Sequence, residues 1–152
     1  MKIVLIGAGN LATSLGAALL SAGHDILQVY SRTMKSASIL AQRVGGSPTN
    51  DINNINSNAD AYILSIKDSI LTELIPELCK GKEKRVFIHT AGSVPMDIFK
   101  GMAYHYGVLY PMQTFSKDKE LKFNDIPCFI EANDKLSENT IMELANNLSN
   151  SV

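Results

Sequence analysis

The stretch KIVLIGAGNLATSLGAALLSAG, residues 2–23, sets a short run of β-branched and aliphatic residues directly against Gly7-Ala8-Gly9-Asn10. Residues 3–6 have the length of a buried strand, and the two glycines and the asparagine punctuate its end. Beyond them Leu11, Leu15, Ala18, Leu19 and Ala22 recur at helical spacing, with Gly23 placed to stop the helix. Few folds turn a strand into a helix through Gly-x-Gly-x-x-Ala. The first glycine permits the tight turn, and the second lets a pyrophosphate approach backbone that carries no Cβ. The small third residue, Ala12, lets helix and strand pack closely. The helix N-terminus then offers free N–H groups and the positive end of its dipole to an anion. A secretory leader, the other reading of an apolar start behind one lysine, needs an apolar core without interruption. Residues 26–30 follow as a second strand, so the glycine turn sits inside a βαβ unit and reads as a dinucleotide site.

At 152 residues and 45% hydrophobic, the chain suffices for one full core and is too short for two ordinary domains. Residues 35–44 read as a helix with Ala37, Ile39, Leu40 and Val44 inward, followed by the Asn-rich PTNDINNINSNADA, a loop with a short strand or helical turn. Residues 61–66 form a nearly continuous apolar run, as a central parallel strand should. Asp68 or Ser69 can cap the next helix, which ends near Lys80-Gly81 and carries Pro76 as a bend. Strands over 85–89, 107–110 and 126–131, a short helix over 94–100 and a last helix over 136–148 complete the chain. This alternation predicts an α/β fold: a doubly wound, mostly parallel Rossmann-type sheet with helices on both faces.

A formal net charge of -1 argues against nucleic acid as the main partner. No stretch has the length and continuity of a membrane span. Cys79 and Cys128 lack CxxC or Cys/His spacing, so no disulfide framework and no metal site is expected, and buried thiols in a reducing cytoplasm are. His89 reads as a core histidine and His105 as a surface one.

An NAD site wants an acidic residue at the carboxyl end of the second strand. Asp25 lies at the opposite end, and the correct end carries Tyr30-Ser31-Arg32-Thr33, a guanidinium between two hydroxyls suited to a 2′-phosphate. The cofactor expected is NADP, and the missing acid also counts against S-adenosylmethionine. Ligands in open α/β sheets lie beyond the strand carboxyl ends, which brings in Ser65-Ile66-Lys67-Asp68 and Thr90-Ala91-Gly92-Ser93. Asp68 can equally be a helix cap, and Thr90 and Ser93 turn hydroxyls.

The segments HTAGSVPMDIF, YGVLYPMQTF and IPCFIEAND, together with GAGNLATSLG and YSRT, resemble the Rossmann-like NADP oxidoreductases that carry a DUF2520 region. These are relatives of pyrroline-5-carboxylate reductases and of 6-phosphogluconate-dehydrogenase-like proteins. The resemblance runs from Lys2 to about Leu148. It implies that Gly7, Ala8, Gly9, Asn10, Leu11 and Ala12 cradle the pyrophosphate, that Ser31, Arg32 and Thr33 hold the 2′-phosphate, and that Ser65, Ile66, Lys67 and Asp68 border the nicotinamide ribose. Thr90, Gly92, Ser93, Gln113 and Thr114 would lie near a small-molecule substrate, with Ser93 hydrogen-bonding the reacting heteroatom and Gln113 and Thr114 positioning it. Such proteins continue into a helical domain that dimerises and closes the substrate pocket, so residues 1–152 are expected to be the cofactor half of a homodimer. The activity implied is hydride transfer between NADPH and a C=N or C=O group. A non-catalytic NADP-binding sensor or scaffold is the alternative, and a vestigial turn with no ligand is a third.

Overall fold

The computed structural model describes residues 1–112 and 123–152. The chain alternates β1 (Lys2–Ile6), α1 (Asn10–Ser21), β2 (Asp25–Tyr30), α2 (Met34–Val44), β3 (Ser47–Thr49), β4 (Ala61–Leu64), α3 (Asp68–Cys79), β5 (Val86–His89), β6 (His105–Pro111), β7 (Cys128–Ala132) and α4 (Lys135–Leu148). Among the described residues the strands make one sheet in the order β3-β2-β1-β4-β5-β6-β7. All neighbours are parallel except β6 and β7, which are antiparallel. The fold is the Rossmann-type α/β sheet that the alternation predicts.

The register positions the rest of the molecule. Ile6 pairs with Tyr30 on one side and Leu64 on the other, and Leu64 in turn pairs with His89. Four carboxyl ends therefore lie in one row across the sheet, and the loops that leave them emerge side by side. β1 anchors this row because residues 3–6 are buried on both faces. Ile3 and Leu5 join the core under α1, α2 and α4, while Val4 and Ile6 join the core under α3 with Tyr62, Phe87 and Phe99. A strand covered on both sides has to be apolar throughout, which is why β1 and β4 read as unbroken runs.

Several boundaries and faces depart from the sequence reading. The β4 run stops at Leu64, and Ser65 and Ile66 belong to the loop. The buried side of α1 is Ala12, Thr13, Leu15, Gly16 and Leu19, with Leu11 and Ala18 half-buried and Ala22 exposed. Ile39, expected inward on α2, is 56% exposed and Ala41 takes its place. Lys67, with no side-chain cap bond, precedes α3, so Asp68 is its first helical residue and caps nothing. The short helix expected over 94–100 is a single 3₁₀ turn, Met96–Phe99. The Asn-rich stretch holds part of β3 and a 3₁₀ turn, Ile52–Asn54, as its composition suggests. Cys79 and Cys128 are free and buried. No helix among the described residues is long and apolar enough to cross a membrane.

At the far edge, α4 is held by Asp134. One carboxylate oxygen accepts the Ser137 N–H at 2.8 Å, and the other pairs with Nδ1 of His105 at 2.6 Å. His105 is thus half-buried and hydrogen-bonded to a carboxylate rather than a plain surface residue. Partial burial raises the Asp134 pKa, but the Ser137 N–H, the Ser137 hydroxyl and His105 outweigh it and hold the carboxyl below its ordinary 3.8. Asp134→Ala should cost about 0.5–2 kcal/mol of stability in urea unfolding at neutral pH, the range for a lost N-cap. A group whose folded pKa is depressed contributes fully above its unfolded value and loses that contribution as pH falls through the folded one. The gap between wild type and variant should therefore close below pH 3.8.

Candidate functional site

The row of strand ends opens into a cleft of about 770 Å³ whose floor is the loops 7–11, 30–32 and 65–68, with Thr90 and Ala91 at one end. The turn after β1 is fixed by backbone contacts. Gly7 donates its N–H to the Tyr30 carbonyl at 2.8 Å, and Ser65 donates its own to Ile6 at 2.8 Å. Gly7 has φ +119, and a Cβ there would run into the Ser65 carbonyl oxygen, so both conformation and space demand glycine. Gly9 differs in kind. Nothing lies within 4 Å of where its Cβ would be, on a residue that lines the cleft. The small size of Gly9 leaves room for something other than this chain. Ala12, the last position of the fingerprint, is 1% exposed in the core under α1 and does not reach the cleft.

The helix ends divide into two kinds. α2 and α4 are capped by the side chains of Thr33 and Asp134, whereas α1 and α3 have no side-chain cap. The two uncapped N-termini, at Asn10 and Asp68, both border the cleft, while α2 reaches it through Ser36 with its own cap in place. Their first N–H groups and helix dipoles are available to an anion. α1 has no acidic residue in its first turn to compete for that place, while α3 has Asp68.

At the β2 end Arg32 lines the cleft and is exposed, and among the described residues it has no carboxylate partner. Ser31 and Ser36 line the cleft beside it. Thr33 stands outside the lining, its hydroxyl oxygen accepting the Ser36 N–H at 3.3 Å and capping α2. Asp25 stands at the opposite end of the strand, paired in register with Lys2.

At the other end, Ser65, Ile66, Lys67, Asp68 and Thr90 come together in the cleft as the sequence suggests. Thr90 is 6% exposed and its hydroxyl lies 3.3 Å from the Leu64 carbonyl and 3.2 Å from the Ser65 hydroxyl. Gly92 and Ser93 lie outside the lining, although Ser93 donates to Asp68 Oδ2 at 3.2 Å and so touches the rim. Gln113 and Thr114 lie outside the described residues. Sequence reasoning missed the α3 wall, Ile70, Glu73 and Leu74, whose i, i+3, i+4 spacing was the available signal. Burial pushes the Cys79 thiol up to about 12 and also raises that of Cys128, so neither is a nucleophile. No group of three or more metal-ligating side chains occurs among the described residues.

Residues 2–92 match the family described as NADP oxidoreductase, coenzyme F420-dependent. The chain belongs to that family. It is 50% identical to a "putative NADP oxidoreductase" from Bacteroides fragilis, with a TM-score of 0.95 over 99% of this chain and 59% of that one. A pyrroline-5-carboxylate reductase from Coxiella burnetii shares the fold at 22% identity and TM-score 0.79, over 99% of this chain and 57% of that one. A Thermotoga maritima protein does so at 20% and 0.78, over 98% and 56%. The chain thus spans less than two thirds of the length of each. No curated protein gives a significant match. Of the segments behind the narrower DUF2520 resemblance, YGVLYPMQTF and IPCFIEAND lie beyond residue 92 and HTAGSVPMDIF straddles it.

The two glycines should respond oppositely to substitution. Gly7→Ala should destabilise the domain by at least about 1–3 kcal/mol through the strained φ alone, with the Ser65 clash added. Gly9→Val should leave the melting temperature within a few degrees of wild type, as thermal unfolding followed by circular dichroism would show.

Proposed function

We propose that these residues form the NADP-binding part of an oxidoreductase that moves a hydride between NADPH and a C=N or C=O group of a small metabolite. The observation that carries this reading is the pairing of an open Gly9 before the uncapped α1 N-terminus with an unpartnered Arg32 at the β2 end of the same cleft. Residues 7–11 would hold the pyrophosphate, and Ser31, Arg32 and Ser36 the 2′-phosphate. Ser65, Ile66, Lys67, Asp68, Thr90 and Ala91 would border the nicotinamide riboside. The dinucleotide supplies the hydride, so the protein is asked only to orient the reactants and exclude water.

Ser93, beside Asp68 at the rim, would offer its hydroxyl to the substrate, and Gln113 and Thr114 join it in this proposal as positioning groups. A helical domain that walls the outer side of the nicotinamide, and a homodimer built on it, belong to the same reading. The length of the relatives supports them. Membership of the DUF2520-bearing group is part of the same proposal.

Two variants test the cofactor. Arg32→Ala should weaken NADPH by about 1–3 kcal/mol, the range for a charge-assisted hydrogen bond, and leave NADH nearly unchanged in calorimetric titration. Equal losses for both would remove Arg32 from the 2′-phosphate. Gly9→Val should abolish binding of both dinucleotides, and a wild-type chain that binds neither would overturn the reading.

A further inference from the structure

We propose that His89 is a positioning residue for the nicotinamide end of the cleft, acting through the loop that follows β5; this rests on the cofactor reading above. His89 ends β5 in the row of strand carboxyl ends, yet its side chain is fully buried and never reaches the cleft. Both ring nitrogens are spent on the following loop. The Ala91 N–H donates to Nδ1 at 3.1 Å, and Nε2 lies 3.3 Å from the Pro95 carbonyl oxygen. Because Nδ1 accepts, the ring proton must sit on Nε2, where it is donated to Pro95. One imidazole therefore ties down both ends of residues 91–95, while its face stacks on Phe99 at a centroid distance of 6.0 Å.

This arrangement excludes general acid or base catalysis by His89, since neither nitrogen is left for a substrate. It also keeps the ring neutral. Burial pulls its pKa below the ordinary 6.5, more than the Pro95 carbonyl and the charges of Asp68 and Glu131 raise it. A protonated ring would present a second N–H to the Ala91 N–H and break the clamp. The loop so held carries the groups that meet the cleft. Ala91 lines it, Thr90 is tied to Ser65 on the neighbouring loop, and Ser93 is tied to Asp68. The loop also lies close over β6, where a Cβ added at Gly92 would meet the Tyr110 ring at 2.6 Å. An imidazole fits where a smaller amide would not, because it bridges two backbone groups at opposite ends of the loop.

Among the described residues the adenosine end of the cleft, at Ser31, Arg32 and Ser36, shares no hydrogen bond or ion pair with this loop. The test is therefore a comparison of two ligands by calorimetry, NADPH and adenosine 2′,5′-bisphosphate, against wild type, His89→Leu and His89→Asn. His89→Leu removes both loop bonds and should weaken NADPH about tenfold, the scale of one or two lost hydrogen bonds, with the bisphosphate changed by less than about twofold. His89→Asn keeps an acceptor for the Ala91 N–H and should recover part of the NADPH loss. In ¹⁵N spectra of the wild type, His89 should show an unprotonated Nδ1 and a protonated Nε2. Parallel losses for both ligands, unchanged NADPH affinity in either folded variant, or a protonated Nδ1 would overturn the proposal. If the Leu variant does not fold, the Asn variant and the spectrum decide. A wild type that binds the bisphosphate but shows parallel losses refutes His89 alone, whereas one that binds neither ligand refutes the cofactor reading itself.

Discussion

Everything at the cleft depends on β1 being paired on both sides and buried on both faces. Ile3 to Ile6 has no freedom to slip, because a shift of one residue would exchange Ile3 and Leu5 with Val4 and Ile6 between two differently shaped cores. That locks Ile6 level with Tyr30 and Leu64. Once those ends are level, Gly7 must turn within reach of both neighbouring loops. It does so by donating to Tyr30 and lying against Ser65. The glycine is thus a consequence of the strand register before it is part of any binding site. The cleft is the space left where three parallel strands end together and their chains diverge to opposite faces.

The helices turn this space into a polar site without a large charge. Among the described residues Arg32 and Lys67 are the cations that line the cleft, and Asp68 and Glu73 stand on the α3 wall. An anionic ligand would find its attraction mainly in backbone N–H groups at the α1 N-terminus, which the chain leaves uncapped there while capping α2 and α4 with side chains. The acids on α3 make the cleft asymmetric. Phosphates are favoured on the α1 and β2 side, and a neutral or cationic ring on the α3 and β4 side. This polarity would set the direction of a dinucleotide without any contact to its bases.

Most of the fold was legible because its signals are long-range consequences of simple rules. An unbroken apolar run of strand length such as AYIL, bounded by turn residues, reads as a doubly buried strand, and a glycine turn between such a run and a helical stripe has few homes. What the sequence concealed were the roles of hydroxyls; the α2 face was legible and was misread. Ala37, Leu40, Ala41 and Val44 share one side at i, i+3, i+4 and i+7, whereas Ile39 lies about 200° round the helix from Ala37, so its size and not its spacing suggests burial. Thr33 and Ser36 are both hydroxyls near the β2 end. One becomes a cap and the other lines the cleft, because the α2 N-terminus falls between them. Asp68 moved the other way: read as a possible cap, it lies one residue inside the helix and faces the cleft instead. A residue at a helix start has a capping and a ligand-facing future that differ by one position, and composition cannot separate them.

His89 shows the same ambiguity resolved at a deeper level. A histidine at the end of a central strand, followed by Thr-Ala-Gly-Ser, invites a catalytic assignment, and its burial invites a purely structural one. The geometry supports neither extreme. A core position with no need for polarity would carry a Leu or Phe in contact with Phe99, at no desolvation cost. The imidazole is tolerated because it is paired at both nitrogens, accepting from the Ala91 N–H and facing the Pro95 carbonyl. Satisfying them costs the ring its chemistry and gives the loop its shape. The loop then faces the end of the cleft opposite Arg32, so a residue without access to any ligand helps to define the surface that one would touch.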